Sequence, residues 1–127
     1  MRVFDASALL ALLFHEPGAE LAARWLAEDE AVISSVNQAE VLTKLRDKGF
    51  AEADLTAIDQ HLPLQVIPFS ADHARQAANL RPATRATRLS LGDRCCLALA
   101  QALTGAQVVT ADRAWAGLAG FDIALLR

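Results

Sequence analysis

The chain has 127 residues and a mass of 13.6 kDa, enough for one domain over residues 1–127 and too little for two, and its 54% hydrophobic and 21% charged residues exclude a disordered chain. No apolar run approaches the roughly 18 residues of a membrane span, and Asp5 breaks the apolar stretch that a secretory leader needs, so a cytoplasmic protein without membrane contact is expected. A net charge of −3 and a pI near 5.5 exclude a general nucleic-acid coat, which relies on excess Lys and Arg to displace counterions.

Hydrophobic periodicity predicts alternating strands and helices. Arg2-Val3-Phe4 reads as a short strand, and Ala6 to Phe14 as an apolar helix closed by Glu16-Pro17-Gly18. Ala19 to Ala27 is a second helix, Ala31-Val32-Ile33 a second strand, and Ser34 to Lys48 a long helix ended by Gly49. Glu52 to His61 is helical, Leu64 to Phe69 forms a third strand between Pro63 and Pro68, and Ala71 to Leu80 returns to helix before Pro82. Leu91 to Leu103 is a nearly continuous apolar helix, Gln107 to Thr110 a fourth strand, a helical turn runs through Trp115, and Asp122 to Leu125 is the last strand. Strands without polar alternation, separated by helices, indicate a parallel sheet covered on both faces, an α/β three-layer sandwich. Ligands of such sheets bind beyond the carboxyl ends of the strands, near a topological switch point.

Cys95 and Cys96 are adjacent in an apolar stretch, which suits buried reduced thiols better than a disulfide or a CxxC metal site. His15, His61 and His73 share no ligand spacing. Between Asp72 and Asp93 there is no acid, whereas Arg75, Arg81, Arg85 and Arg88 all fall there; a solvated face explains this, and an anionic partner is the sharper reading.

Four acids are placed unusually. Asp5 follows the first strand directly and Asp112 follows the fourth, so both project at one sheet edge. Asp93 heads an apolar helix face through Leu97 and Ala100, and Glu40 sits one turn beyond Val36 in the apolar-rich Val36 to Leu45. Each has a purely local explanation. Asp5 caps the first helix with support from Ser7, Asp93 completes a capping box with Ser90, Glu40 pairs with Lys44 four residues on, and Asp112 forms an Asx-turn. Together they say more, because carboxylates converging at one edge repel unless a cation joins them. Mg²⁺ or Mn²⁺ accepts such oxygen ligands while keeping waters, and a divalent cation there supports phosphodiester hydrolysis by orienting and deprotonating a water. No GxxxxGK[ST] loop or GxGxxG turn points to nucleotide-dependent chemistry instead.

Val3-Phe4-Asp5-Ala6-Ser7-Ala8-Leu9, Ser34-Ser35-Val36-Asn37-Gln38-Ala39-Glu40-Val41, Leu89-Ser90-Leu91-Gly92-Asp93 and Val109-Thr110-Ala111-Asp112-Arg113-Ala114-Trp115 occur in that order. In this arrangement the chain resembles the PIN-domain ribonucleases, and more narrowly the VapC toxins of type II toxin–antitoxin modules. The resemblance implies a five-stranded parallel sheet of order 3-2-1-4-5, with helices 34–48 and 51–61 as a projecting clip. It implies that Asp5, Glu40, Asp93 and Asp112 form an acidic pocket for Mg²⁺ or Mn²⁺, flanked by the hydroxyls of Ser7 and Thr110. Asp5, Asp93 and Asp112 would hold the ion, and Glu40 would complete the shell or orient the water. It further implies an endoribonuclease toxin that acts on RNA, forms a homodimer and is neutralised by a cognate antitoxin. Arg75, Arg81, Arg85 and Arg88, with Arg94 and Arg113, are the expected RNA-contacting residues.

Competing readings fare worse on the residues. A receiver-like phospho-acceptor domain requires paired acids after the first strand and a lysine after the last, yet Asp5 stands alone and no lysine follows Lys48. A phosphatase with DxDx[TV] would not carry Asp5-Ala6-Ser7. A catalytically silent PIN-like binding module is the alternative, opposed by retention of all four acids.

Overall fold

The computed structural model describes residues Met1–Arg127. Its elements run β1 (Arg2–Phe4), α1 (Ala6–Leu13), α2 (Ala19–Glu28), β2 (Ala31–Ser34), α3 (Ser35–Asp47), α4 (Glu52–Gln60) and β3 (Gln65–Ile67). There follow α5 (Ala71–Asn79), α6 (Arg81–Thr84), α7 (Leu91–Ala102), β4 (Gln107–Thr110), a 3₁₀ turn (Arg113–Trp115) and β5 (Asp122–Leu125). All strand pairs are parallel and the sheet order is β3-β2-β1-β4-β5, as the resemblance implies.

Neighbouring strand residues face opposite ways, and both sets are buried. Val3, Val32 and Val108 enter a core with Ala77 of α5, Leu80 at its C-cap and the Cys95 to Ala100 stretch of α7. Phe4 and Val109 point into a second core with Ala8 and Ala11 of α1 and Ala22 of α2, while Ile33 packs with Leu9, Val41 and Leu45 beneath α3. Helices therefore cover both faces, which is why the strands lack polar alternation. Each large side chain removed from water in this way contributes roughly 1.5–3 kcal/mol.

Two expectations are revised. The third strand is confined to Gln65–Ile67 rather than Leu64 to Phe69: it lies at the sheet edge with β2 as sole partner, and Pro68 has no N–H to donate. Beyond it, the Phe69 N–H donates to the Ser35 hydroxyl at 3.0 Å, which ties the strand exit to the start of α3. Pro82, expected to mark the end of a helix, lies in the first turn of α6, where its missing N–H costs nothing. Gly18 adopts φ +98° and an added Cβ would lie 2.7 Å from the Leu126 Cβ, so the turn into α2 needs glycine both for its conformation and for the approach of the C-terminal segment.

Chain direction departs from β1 toward β2 and β3 on one side and toward β4 and β5 on the other. The switch point thus lies between the carboxyl ends of β1 and β4. Asp5 and Asp112 emerge there.

Candidate functional site

Asp5, Ser7, Glu40, Asp93 and Asp112 line one cavity of about 640 Å³, with Val36, Thr43, Lys44 and Asp47 among the other walls. All four expected acids are brought together from the junction of β1 and α1, from α3, from α7 and from the turn after β4. Thr110 is fully buried behind this surface and reaches the site through Asp5.

The floor is built from β1 and β4. Asp5 is 4% exposed and is the N-cap of α1, its Oδ1 accepting from the Ala8 N–H at 2.8 Å. The Ser7 hydroxyl donates to the same carboxylate at 2.7 Å, and the Thr110 hydroxyl donates to Oδ2 at 2.6 Å. These hydroxyls are fixed in turn. The Ala111 N–H donates to Ser7 Oγ at 2.9 Å, and the Asp112 N–H donates to Thr110 Oγ1 at 3.1 Å. Three donors meet about four acceptor positions on a carboxylate, so one stays open. Burial pushes the Asp5 carboxyl up from 3.8 to about 6, against the lowering effect of bonds from Thr110, Ala8 and Ser7, and the nearby Asp93 charge adds to the rise.

The rim is built from α3, α7 and the 3₁₀ turn. The Asp93 Oδ2 accepts from the Ser90 N–H at 2.9 Å while the Ser90 hydroxyl accepts from the Asp93 N–H at 3.1 Å, the capping box read from the sequence. Asp112 Oδ1 accepts from the Ala114 N–H at 2.9 Å, the expected Asx-turn. Each keeps its other oxygen free of protein donors. Capping and cavity lining are thus compatible uses of the same carboxylate.

Glu40 departs from its expected local role. Instead of pairing with Lys44, its Oε2 accepts from the Asn37 side-chain amide at 2.8 Å, and the same amide donates to the Gly92 carbonyl at 3.0 Å. Asn37 is 1% exposed, and both contacts demand the NH₂ on that side, which leaves Oδ1 without a partner. Gly92 is needed for this approach, because a Cβ there would lie 2.1 Å from Glu40 Oε1. Asn37 and Gly92 are the residues that sequence reading missed. The available signal was Asn37 itself, an amide one helical turn before Glu40.

Cys96 is buried beneath the cluster. Its thiol is pushed well above the usual range by desolvation first, then by the fields of Asp5, Asp93 and Glu40. Cys95 is raised mainly by burial, and both thiols are free.

None of the six arginines expected to contact RNA lines the acid cavity. Arg75 is paired with Asp72 on the exposed face of α5, and Arg81, Arg85 and Arg88 are exposed on and after α6. Arg94 donates to the Ala77 carbonyl at 2.9 Å, and Arg113 donates to the Arg127 carbonyl at 3.2 Å.

The donor set suits a hard cation. Every polar side chain of the acid set offers oxygen, and the buried Asp5 charge is one that a cation would relieve. No three acidic, histidine or cysteine side chains close on a single point as a finished cage. An ion that takes one or two carboxylates and keeps several waters fits this open arrangement. No helix is long and apolar enough to cross a membrane.

Residues 2–120 match the family model described as PIN domain. No curated protein matches the chain. Among solved structures, a toxin-antitoxin complex from Klebsiella pneumoniae is similar at TM-score 0.77 and 22% identity, covering 100% of this chain and 98% of that one. DNA-bound VapBC from Salmonella typhimurium is similar at TM-score 0.76 and 16% identity, covering 99% and 98%. VapC20 of Mycobacterium tuberculosis, a toxin that cleaves the sarcin-ricin loop, is similar at TM-score 0.69 and 21% identity, covering 87% and 88%. At these identities the likeness establishes the shared fold.

Proposed function

The chain belongs to the PIN domain family, and from that premise we propose that it is a divalent-cation-dependent endoribonuclease, the toxin of a toxin–antitoxin pair. The observation that carries this reading is the meeting of Asp5, Glu40, Asp93 and Asp112, drawn from four separate parts of the chain, in one cavity at the switch point. Similarity to toxin–antitoxin structures supports the biological half of the reading.

Asp5, Asp93 and Asp112 would hold the cation, Mg²⁺ or Mn²⁺. When bound, it offsets the carboxylate charge, acidifies a water and neutralises charge developing on the phosphate. The protein's own part is positioning. Ser7 and Thr110 fix the Asp5 carboxylate in one orientation, so its open acceptor position is set before any ligand arrives. Glu40, held by Asn37 with Oε1 free of protein donors, is placed to complete the shell or to accept a proton from the attacking water. A cognate antitoxin is the proposed inhibitor and a homodimer the proposed assembly.

The test is cleavage of a mixed RNA pool with Mg²⁺ or Mn²⁺, with EDTA, and with Asp5→Asn. Cutting that requires both the metal and Asp5 is expected; folded wild type that binds RNA without cutting it supports the silent binding module instead. Arg75, Arg81, Arg85, Arg88, Arg94 and Arg113 are proposed as outer RNA contacts. Charge reversal at exposed Arg81 and Arg85 should weaken RNA binding in a salt-dependent way, and unchanged binding at low salt would leave that stretch as a solvated face.

A further inference from the structure

Lys44 is the one basic side chain lining the acid cavity. It is also shared with an adjoining cavity of about 330 Å³ whose walls include Ser7, Leu10, Lys48 and Arg127. Two acids in the acid cavity are within one helical turn of it in sequence, Glu40 and Asp47, yet Lys44 pairs with neither: the ion pairs of the chain are Arg2 with Asp29, Arg75 with Asp72 and Arg127 with Glu16. Glu40 is engaged by Asn37 instead. An ammonium thus stands unpaired at the border of the two cavities.

Behind it the cationic character continues. Lys48, the C-cap of α3, follows one turn on, about 6 Å in rise, with its ammonium 5.3 Å from the Phe14 ring centre. Arg127 is anchored by a bond to the Pro17 carbonyl at 2.9 Å and lies 3.8 Å from Glu16, the single acid lining this second cavity. The second cavity therefore holds two more positive than negative side chains, in a chain whose net charge is −3. An acidic compartment suited to a cation with a phosphate, opening directly onto a cationic one, matches a polyanionic strand whose neighbouring phosphate has no metal to meet it.

We propose that Lys44, backed by Lys48 and Arg127, forms a phosphate-binding subsite that holds the RNA phosphate next to the one at the acids. This rests on the nuclease reading of the acid cavity. The subsite binds and orients the strand, and Lys44 is a positioning residue with no part in the proton transfers.

The test separates binding from cutting. A short fluorescent single-stranded RNA is titrated with the Asp5→Asn chain in EDTA, across a range of salt concentrations, so that no cleavage or metal binding enters the readout. Adding Lys44→Gln should weaken binding about tenfold, as loss of one charged hydrogen bond does, and should lower the slope of log affinity against log salt by about 0.7. Lys48→Gln and Arg127→Gln should act in the same direction, Lys44→Arg should restore the slope, and Arg24→Gln, outside both cavities, should change neither quantity. Unchanged affinity and slope for Lys44→Gln, with wild type still cutting RNA, overturns the subsite and leaves the nuclease reading intact. Binding through Lys44 by a wild type that does not cut keeps the subsite and overturns the nuclease. Neither binding nor cutting overturns both.

Discussion

The floor and the rim of the acid cavity are built by different means. On the floor, the Asp5 carboxylate takes three donors from α1 and β4, and two of those donors are themselves held by backbone N–H groups. On the rim, Asp93 and Asp112 each take one bond from a local backbone group, and Glu40 takes one from Asn37. The floor is therefore fixed by the sheet, since β1 and β4 are paired along their length. Rim geometry depends on how α3 meets α7, through the single Asn37 amide and the missing Cβ of Gly92. Disturbing the floor should abolish function, whereas disturbing the rim should detune it.

The largest expected effect is on the floor. Asp5→Asn should lower RNA cleavage by on the order of 10²–10³-fold while leaving the fold intact, because an amide can still accept from Ala8 and meet the two hydroxyls. Thermal melting checks the cause: added Mg²⁺ should raise the melting temperature of wild type and not of the variant. Equal metal-induced shifts would show that Asp5 is no ligand, and the floor would then be structural only.

On the rim, Gly92→Ala is the most informative change. The added methyl collides with Glu40 Oε1, the end of an exposed and flexible side chain, so Glu40 should swing away from Asn37 at little structural cost. Alanine is also the better helix former by about 1 kcal/mol. Stability should hold or rise while cleavage falls about tenfold, roughly one lost charged hydrogen bond's worth. Asn37→Ala should instead lose both, because it also leaves the Gly92 carbonyl without its donor, at about 1–3 kcal/mol. Parallel losses in the two variants would mean that the rim is as rigidly built as the floor.

This division also explains what could be read from the residues alone. Asp93 and Asp112 were legible because each is fixed within three residues, as capping box and Asx-turn, and Asp5 because it caps α1 directly after a strand, although its bond from Thr110 spans 105 residues. Sheet order followed from the family resemblance, and the alternation of elements from periodicity. The Glu40 partner was not legible: helix spacing favours Lys44, and only the packing of α7 on α3 brings Gly92 within reach of Asn37, 55 residues away in sequence. Lys44 was hidden for the same reason, since its freedom is a consequence of that contact. The short α6 escaped because Pro82 is an equally good signal for the end of one helix and the start of another.

A smaller effect tests the electrostatics of the floor. In metal-free protein the Asp5 carboxyl, raised to about 6, keeps its proton where the unfolded chain, near 3.8, has lost it. The native state then binds more protons between those values, so the contribution of Asp5 to stability falls as pH rises from about 4 to about 6 and stays low above, a total on the order of 3 kcal/mol. Asp5→Asn lacks this dependence. In EDTA, the stability of the variant relative to wild type should increase through that window, measured by denaturant unfolding. A difference that stays flat would mean that the hydrogen bonds from Thr110, Ala8 and Ser7 already offset burial.

The smallest effect separates the two uses of Asp93. Ser90→Ala removes the hydroxyl that accepts from the Asp93 N–H, costing about 1 kcal/mol of stability as N-cap losses do. It leaves the Asp93 carboxylate bonded to the Ser90 N–H, so the side chain stays where it is and cleavage should change less than about threefold. Asp93→Asn reverses the pattern: its side-chain oxygen can still accept from that N–H, so the cap survives, but the charge at the cavity is gone and cleavage should collapse. If Ser90→Ala instead reduces cleavage as strongly as Asp93→Asn, the cap is what positions the carboxylate. The rim would then be anchored locally at α7 rather than through Asn37.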